Sequence, residues 1–307
     1  MNFFSLKKAI FLGCFIFFTF LFYSCSNIPE ITDGGYRFAY VIGDTAANTV
    51  SLCKVDSGTG ALSGCATTAS GFNGALSIAI SNGYAYVTNI SGNTVSLCKV
   101  DSGTGAFSGC ATTASGFNGP EGIAIFNGYA YVTNIGGNTV SLCKVDSGTG
   151  ALSGCTITGS GFNGPAGIAI SNGFVYVTNN NVSTVSLCNM DSNTGALSGC
   201  TTITPSGISN PVDIATANGF AYMTMNGKNV GFCKIDSSTG QFSNCVIKAV
   251  GSNGHDGIAV ANGFLYLTER SNAVILCNLE SVTGALSNCA TTTAPTPYPF
   301  TARIAIF

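Results

Sequence analysis

Three features predict an all-β chain closed into a six-bladed β-propeller: a cysteine pair that returns every 45 residues, four short apolar runs per return, and a scarcity of helix formers. The motif Cys-x11-Cys occurs as Cys53 and Cys65, Cys98 and Cys110, Cys143 and Cys155, Cys188 and Cys200, Cys233 and Cys245, and Cys277 and Cys289, with one step of 44. A period of this size, divided by Gly, Asn, Asp and Ser clusters, marks a propeller blade rather than a helical solenoid. Gly is 40 of 307 residues, and Thr, Val, Ile, Tyr and Phe fill the apolar runs, as strands favour.

The first segment, residues 1–24, has Lys7 and Lys8 followed by an apolar run from Ala9 to Tyr23, the pattern of a signal peptide. Residues 25–35 read as a polar tether, and 36–307 as one propeller domain. Within the unit, Gly122–Phe126 is predicted as an inner strand A. A tight Asn127-Gly128 turn joins it to strand B, Tyr129–Thr133, since Asn-Gly favours two-residue hairpins. Strand C, Thr139–Asp146, turns through Asp-Ser-Gly-Thr-Gly into strand D, Ala151–Thr158, a run suited to positive φ and local side-chain bonds. The first copy starts at strand B. Its strand A is found in Thr301–Phe307, which aligns with Pro120–Phe126, so the C-terminal strand should complete the first blade. Closure of this kind leaves no open edge between first and last blade.

The runs Tyr86-Val-Thr-Asn89, Tyr131-Val-Thr-Asn134 and Tyr176-Val-Thr-Asn179 resemble the YVTN family of propeller repeats, and Pro-x-Gly-Ile-Ala is similar to NHL and lactonase-type propellers. The resemblance covers nearly all of the mature chain. It implies the fold and leaves function open among surface-layer proteins, envelope binding proteins and enzyme-like relatives, many of which have seven blades. Leu21-Phe-Tyr-Ser-Cys25 resembles the lipobox of bacterial lipoproteins, which would lipidate Cys25; an uncleaved anchor and plain secretion are the alternatives.

In each copy the two cysteines flank the C–D turn symmetrically, which sets them opposite one another on antiparallel strands, within disulfide reach. A signal peptide places them in an oxidising compartment. Six disulfides within blades are therefore expected, each worth roughly 3 kcal/mol at most. Passive filling of a small apolar slot is the other reading of these cysteines. Metal binding suits them less, since clustered His partners are missing.

Asp56, Asp101, Asp146, Asp191, Asp236 and Glu280 share one turn position and read as structural. Without the leader, nine bases face 13 acids, and no basic stripe offers a nucleic-acid surface. The exceptional charges lie in the D–A and B–C connections. Asp213 enters the fifth blade, His255 and Asp256 the sixth and Arg303 the first, with Asp44, Glu269 and Arg270 nearby and Glu121 on the opposite side. With Asn89, Asn134 and Asn179 from other blades, these define a ligand-binding set at the channel mouth. The competing reading is an ion pair that seals last blade to first. Six-bladed gluconolactonase-type enzymes, by resemblance, imply carboxylate and Asn ligation of a divalent cation, here Ca or Mg on Glu121, Asp213 and Asp256. No cofactor is otherwise expected, and no nucleophile elbow, Walker loop or His-rich box occurs. The expectation is an exported envelope lipoprotein, in the periplasm or at the cell surface. It would serve as a binding or scaffold module for a protein or polymer, touching membrane only through its anchor or signal segment. The alternative is a metal-dependent lactone hydrolase or lyase with its site at the channel mouth.

Overall fold

The computed structural model describes residues 37–43, 48–270, 273–292 and 301–307. The leader, the tether, Cys25 and Asp44 lie outside the described residues. Six four-stranded antiparallel sheets form the ring, and no helix occurs among the described residues. The third blade is typical. Strand A is Pro120–Phe126, B is Tyr129–Asn134, C is Thr139–Val145 and D is Leu152–Ser160. The first blade takes its strand A from Thr301–Ile306, which pairs with Arg37–Gly43. Ile304 faces Val41 and Ala305 faces Tyr40, and Phe307 and Phe38 exchange backbone bonds of 2.8 and 2.9 Å. The end of the chain closes the ring as the repeat count predicts.

All six cysteine pairs are disulfides joining strand C to strand D, with Cα atoms 4.0–4.1 Å apart. The pairing is tighter than simple opposition. Leu52 faces Ala66 and Lys54 faces Ser63, so Cys53 stands against both Gly64 and Cys65. This is a β-bulge, whose extra residue takes positive φ. Gly64 supplies it at 58°, and Asn244 and Asn288 supply it where Gly is replaced.

Blades are joined by a repeated seam. Each strand B buries one tyrosine completely: Tyr40, Tyr86, Tyr131, Tyr176, Tyr222 and Tyr266. Five donate a hydrogen bond to a glycine carbonyl in the C–D turn of the next blade, as Tyr131 does to Gly195 at 2.8 Å and Tyr266 to Gly60 at 3.0 Å across the closure. Burial raises the hydroxyl of Tyr131 to about 12, so it remains a donor. The turn glycine also packs against an aromatic ring of the preceding blade. At Gly150, with φ of +71°, a Cβ would fall 2.6 Å from the ring of Tyr84. Neighbouring blades are further tied at the rim, where the Leu152 amide donates to Thr113 Oγ1 at 2.9 Å.

Strand A is the inner edge of every blade. One isoleucine per blade, Ile78, Ile123, Ile168, Ile214, Ile258 and Ile304, lines the channel as a collar. The residue just before each collar position decides what fills the axis.

Candidate functional site

That preceding position is small in four blades, Ser77, Gly122, Gly167 and Gly257, and charged in two, Asp213 and Arg303. Crowding explains two of the glycines, Gly122 and Gly167. A Cβ on Gly167 would come 2.6 Å from Asp213 Oδ1, and one on Gly122 would come 2.3 Å from the Ala166 carbonyl oxygen. Arg303 is 4% exposed. Its Nη1 donates to Asp213 Oδ1, and its Nη2 donates to Glu121 Oε1 at 2.9 Å. The Ile258 amide donates to the other Asp213 oxygen, Oδ2, at 3.1 Å. Three alternate blades, the first, third and fifth, thus meet through one buried guanidinium. Burial raises the pKa of Glu121 and of Asp213, and Arg303 opposes the rise at both. One positive charge faces two carboxylates, so the cluster as a whole favours retaining a proton.

A second pair lies nearer solvent. Arg270 Nε donates to Asp256 Oδ1 at 2.9 Å and Nη2 to the same oxygen at 2.8 Å, while Nη1 reaches Asn226 Oδ1 at 3.3 Å. The two charged side chains are 44% and 26% exposed. Asn226 was not legible as part of this group; its signal is its place at the end of strand B, next to the column that holds Glu269.

The remaining predicted residues are built into the scaffold. His255 is fully buried, and its Nε2 lies 2.8 Å from the Val250 carbonyl. A carbonyl only accepts, so Nε2 carries the proton and Nδ1 is a bare acceptor; Nδ1 has no partner among the described residues. Burial lowers the pKa of this imidazole, keeping it neutral. Glu269 receives the amides of Ser252 at 2.9 Å and Asn253 at 3.2 Å, and so holds the D–A loop of its blade. Asn134 and Asn179 occupy the same column and act in the same way, accepting from the amides of Asn118 at 3.4 Å and Asn163 at 3.2 Å. Their amide nitrogens donate to Ser141 and Ser186, each at 2.9 Å, and Asn89 donates likewise to Ser96 at 2.9 Å. The structure therefore brings together Glu121, Asp213 and Arg303, places Asp256 with Arg270, and sets His255, Glu269 and the three asparagines at loop anchors.

An axial cavity of about 80 Å³ adjoins Asp213, Arg303 and the isoleucine collar. It accommodates a few waters, at roughly 30 Å³ each, and falls short of the roughly 300–1,000 Å³ of ordinary small-molecule sites. The carboxylates do not fit a divalent cation in this arrangement. Arg303 faces Glu121 and Asp213, Arg270 holds Asp256, and no group of three or more His, Cys, Asp or Glu side chains suited to a metal occurs among the described residues.

The family model described as lactonase, seven-bladed β-propeller, matches residues 41–216. No curated protein matches the sequence. Among solved structures, the chain is similar to one from the nidogen–laminin complex, at 13% identity and a TM-score of 0.69, over 89% of this chain and 98% of that one. It is similar to a 6-phosphogluconolactonase candidate from Bacteroides fragilis, at 14% identity and a TM-score of 0.63, over 91% and 99%. It is also similar to the periplasmic gluconolactonase PpgL of Pseudomonas aeruginosa, at 12% identity and a TM-score of 0.65, over 89% and 99%. At these identities the likeness is one of fold.

Proposed function

The chain belongs to the lactonase family of seven-bladed β-propellers, built here with six blades, and from that premise we propose that it acts as an exported binding module of the bacterial envelope. Its partner is a protein or polymer held on the face of the D–A and B–C loops. Axial filling carries this reading: Arg303 joins the two buried carboxylates of the channel to each other, and the adjoining cavity is too small for a sugar lactone. Six intrachain disulfides suit the oxidising periplasm or cell exterior. On the proposed face, blades two to four repeat exposed Asn73, Asn118 and Asn163 beside Gly, which offers equivalent contacts to a repeating or extended partner. The similar propeller from the nidogen–laminin complex comes from a protein–protein assembly.

Family membership and the gluconolactonase likeness favour a second reading, lactone hydrolysis at the channel mouth, where Asp256 and Arg270 remain partly exposed. Hydrolysis of glucono-δ-lactone and 6-phosphogluconolactone, followed above the spontaneous rate with the purified oxidised domain, separates the two. Saturable turnover that disappears in Asp256→Asn would establish the hydrolase and remove the binding reading. Rates equal to background across both substrates support the binding module.

A further inference from the structure

The disagreement between the donor set and a metal is itself informative. Glu121 and Asp213 come from the third and fifth blades and converge on the axis, both buried. Asp213 is oriented by the Ile258 amide and given space by Gly167. Two buried carboxylates that converge on one point are oxygen donors of the kind a hard cation takes. What stands between the carboxylates is a guanidinium that arrives from the first blade. We propose that Arg303 is a tethered cation: carried in on the ring-closing strand, it fills from within the chain the axial position where Glu121 and Asp213 would otherwise bind a divalent metal ion.

Charge and delivery both support this. The residue occupies the position that is Ser or Gly in four blades, so a side chain as long as arginine is not what packing there demands. Among the described residues, both ion pairs of its guanidinium run across the channel, to Glu121 of the third blade and Asp213 of the fifth. The cation also enters only when strand A of the first blade docks, which ties charge balance on the axis to closure of the ring. Arg270 cannot substitute for it, because its Nε and Nη2 are engaged by Asp256.

The test is calorimetric titration of the full mature chain, and of its Arg303→Met variant, with Ca²⁺, Mg²⁺ and Mn²⁺. The natural protein should give no saturable binding. Arg303→Met should bind one divalent ion, and adding Asp213→Asn should abolish that binding. Saturable binding to the natural protein that is lost in Asp213→Asn overturns the proposal, as does a folded Arg303→Met that binds none of the three ions. Should Arg303→Met fail to fold unaided, it is refolded with each ion and, separately, with dilute guanidinium. Recovery of the folded domain in either supports the tethered cation. Failure in all, with Arg303→Lys folding normally, overturns it, because a vacant cation site would then not be what was created.

Discussion

Tyr131→Phe tests the seam between blades, and Tyr222→Phe supplies its control. Both tyrosines are fully buried at the same position of strand B, two blades apart. Tyr131 donates to the Gly195 carbonyl at 2.8 Å, whereas the Tyr222 hydroxyl has no partner among the described residues. Phenylalanine keeps the ring in each case. At Tyr131 the change deletes a buried hydrogen bond and leaves a carbonyl in the seam without its donor, a loss of about 1–3 kcal/mol. At Tyr222 no bond is lost and a buried hydroxyl is relieved, so the change is neutral or stabilising by up to about 1 kcal/mol. One kcal/mol moves the midpoint of a domain of this size by roughly 2–4 °C. Scanning calorimetry of the oxidised protein should therefore show Tyr131→Phe several degrees below the parent and Tyr222→Phe at or above it. Equal losses in the two variants would refute the account of the seam.

Gly150→Ala should cost about 2–4 kcal/mol, from positive φ and from a Cβ driven into the Tyr84 ring. Gly154→Ala, at φ +58° with open space around it, should cost only the φ share, about 1 kcal/mol; denaturant unfolding compares them. Replacing Cys98 and Cys110 together by Ala should lower stability by roughly 3 kcal/mol, and non-reducing peptide mass mapping of the parent should find all twelve of these cysteines paired. Glu121 has a folded pKa above its ordinary 4.5, so its share of stability is full below that value and is lost as pH rises through the folded pKa; Glu121→Gln should flatten that decline in a midpoint-against-pH series. His255 has a folded pKa below 6.5, so its share is full above 6.5 and is lost as pH falls below it, and His255→Asn should remove that opposite slope.

The features that lie within one repeat were readable from sequence, because each copy restates them. The 45-residue period, the Asn-Gly turns, the acidic C–D turn and the homology of 301–307 with strand A each repeat a local rule. The bulge beside the second cysteine was also readable, since Gly or Asn precedes that cysteine in all six copies; simple opposition across a hairpin concealed it. Contacts between blades were not readable in the same way. Tyr131 and Gly195 are 64 residues apart and meet only because successive blades stack. Arg303 and Glu121 are 182 residues apart. Periodicity identified Arg303 as exceptional and offered a carboxylate partner for it, but nothing local says that a side chain from the first blade will bridge the third and fifth. His255 looked like a loop residue beside Asp256. In its blade Ser252 stands where Phe117 and Phe162 fill the core of others, and the imidazole lies in the interior.

Ring closure also has a consequence for synthesis and for the export proposed above. Strand B of the first blade is made more than 250 residues before the strand that covers its inner edge. At about 5–20 residues per second, that edge waits for tens of seconds while the other blades emerge. Each disulfide needs only its own hairpin, spanning 12 residues, so the blades can be clamped one by one during translocation. The exposed edge of the first blade is then the molecule's period of greatest vulnerability to mispairing. Any factor that guards this protein during secretion would be expected to act there, between the crossing of Gly43 and the arrival of Thr301.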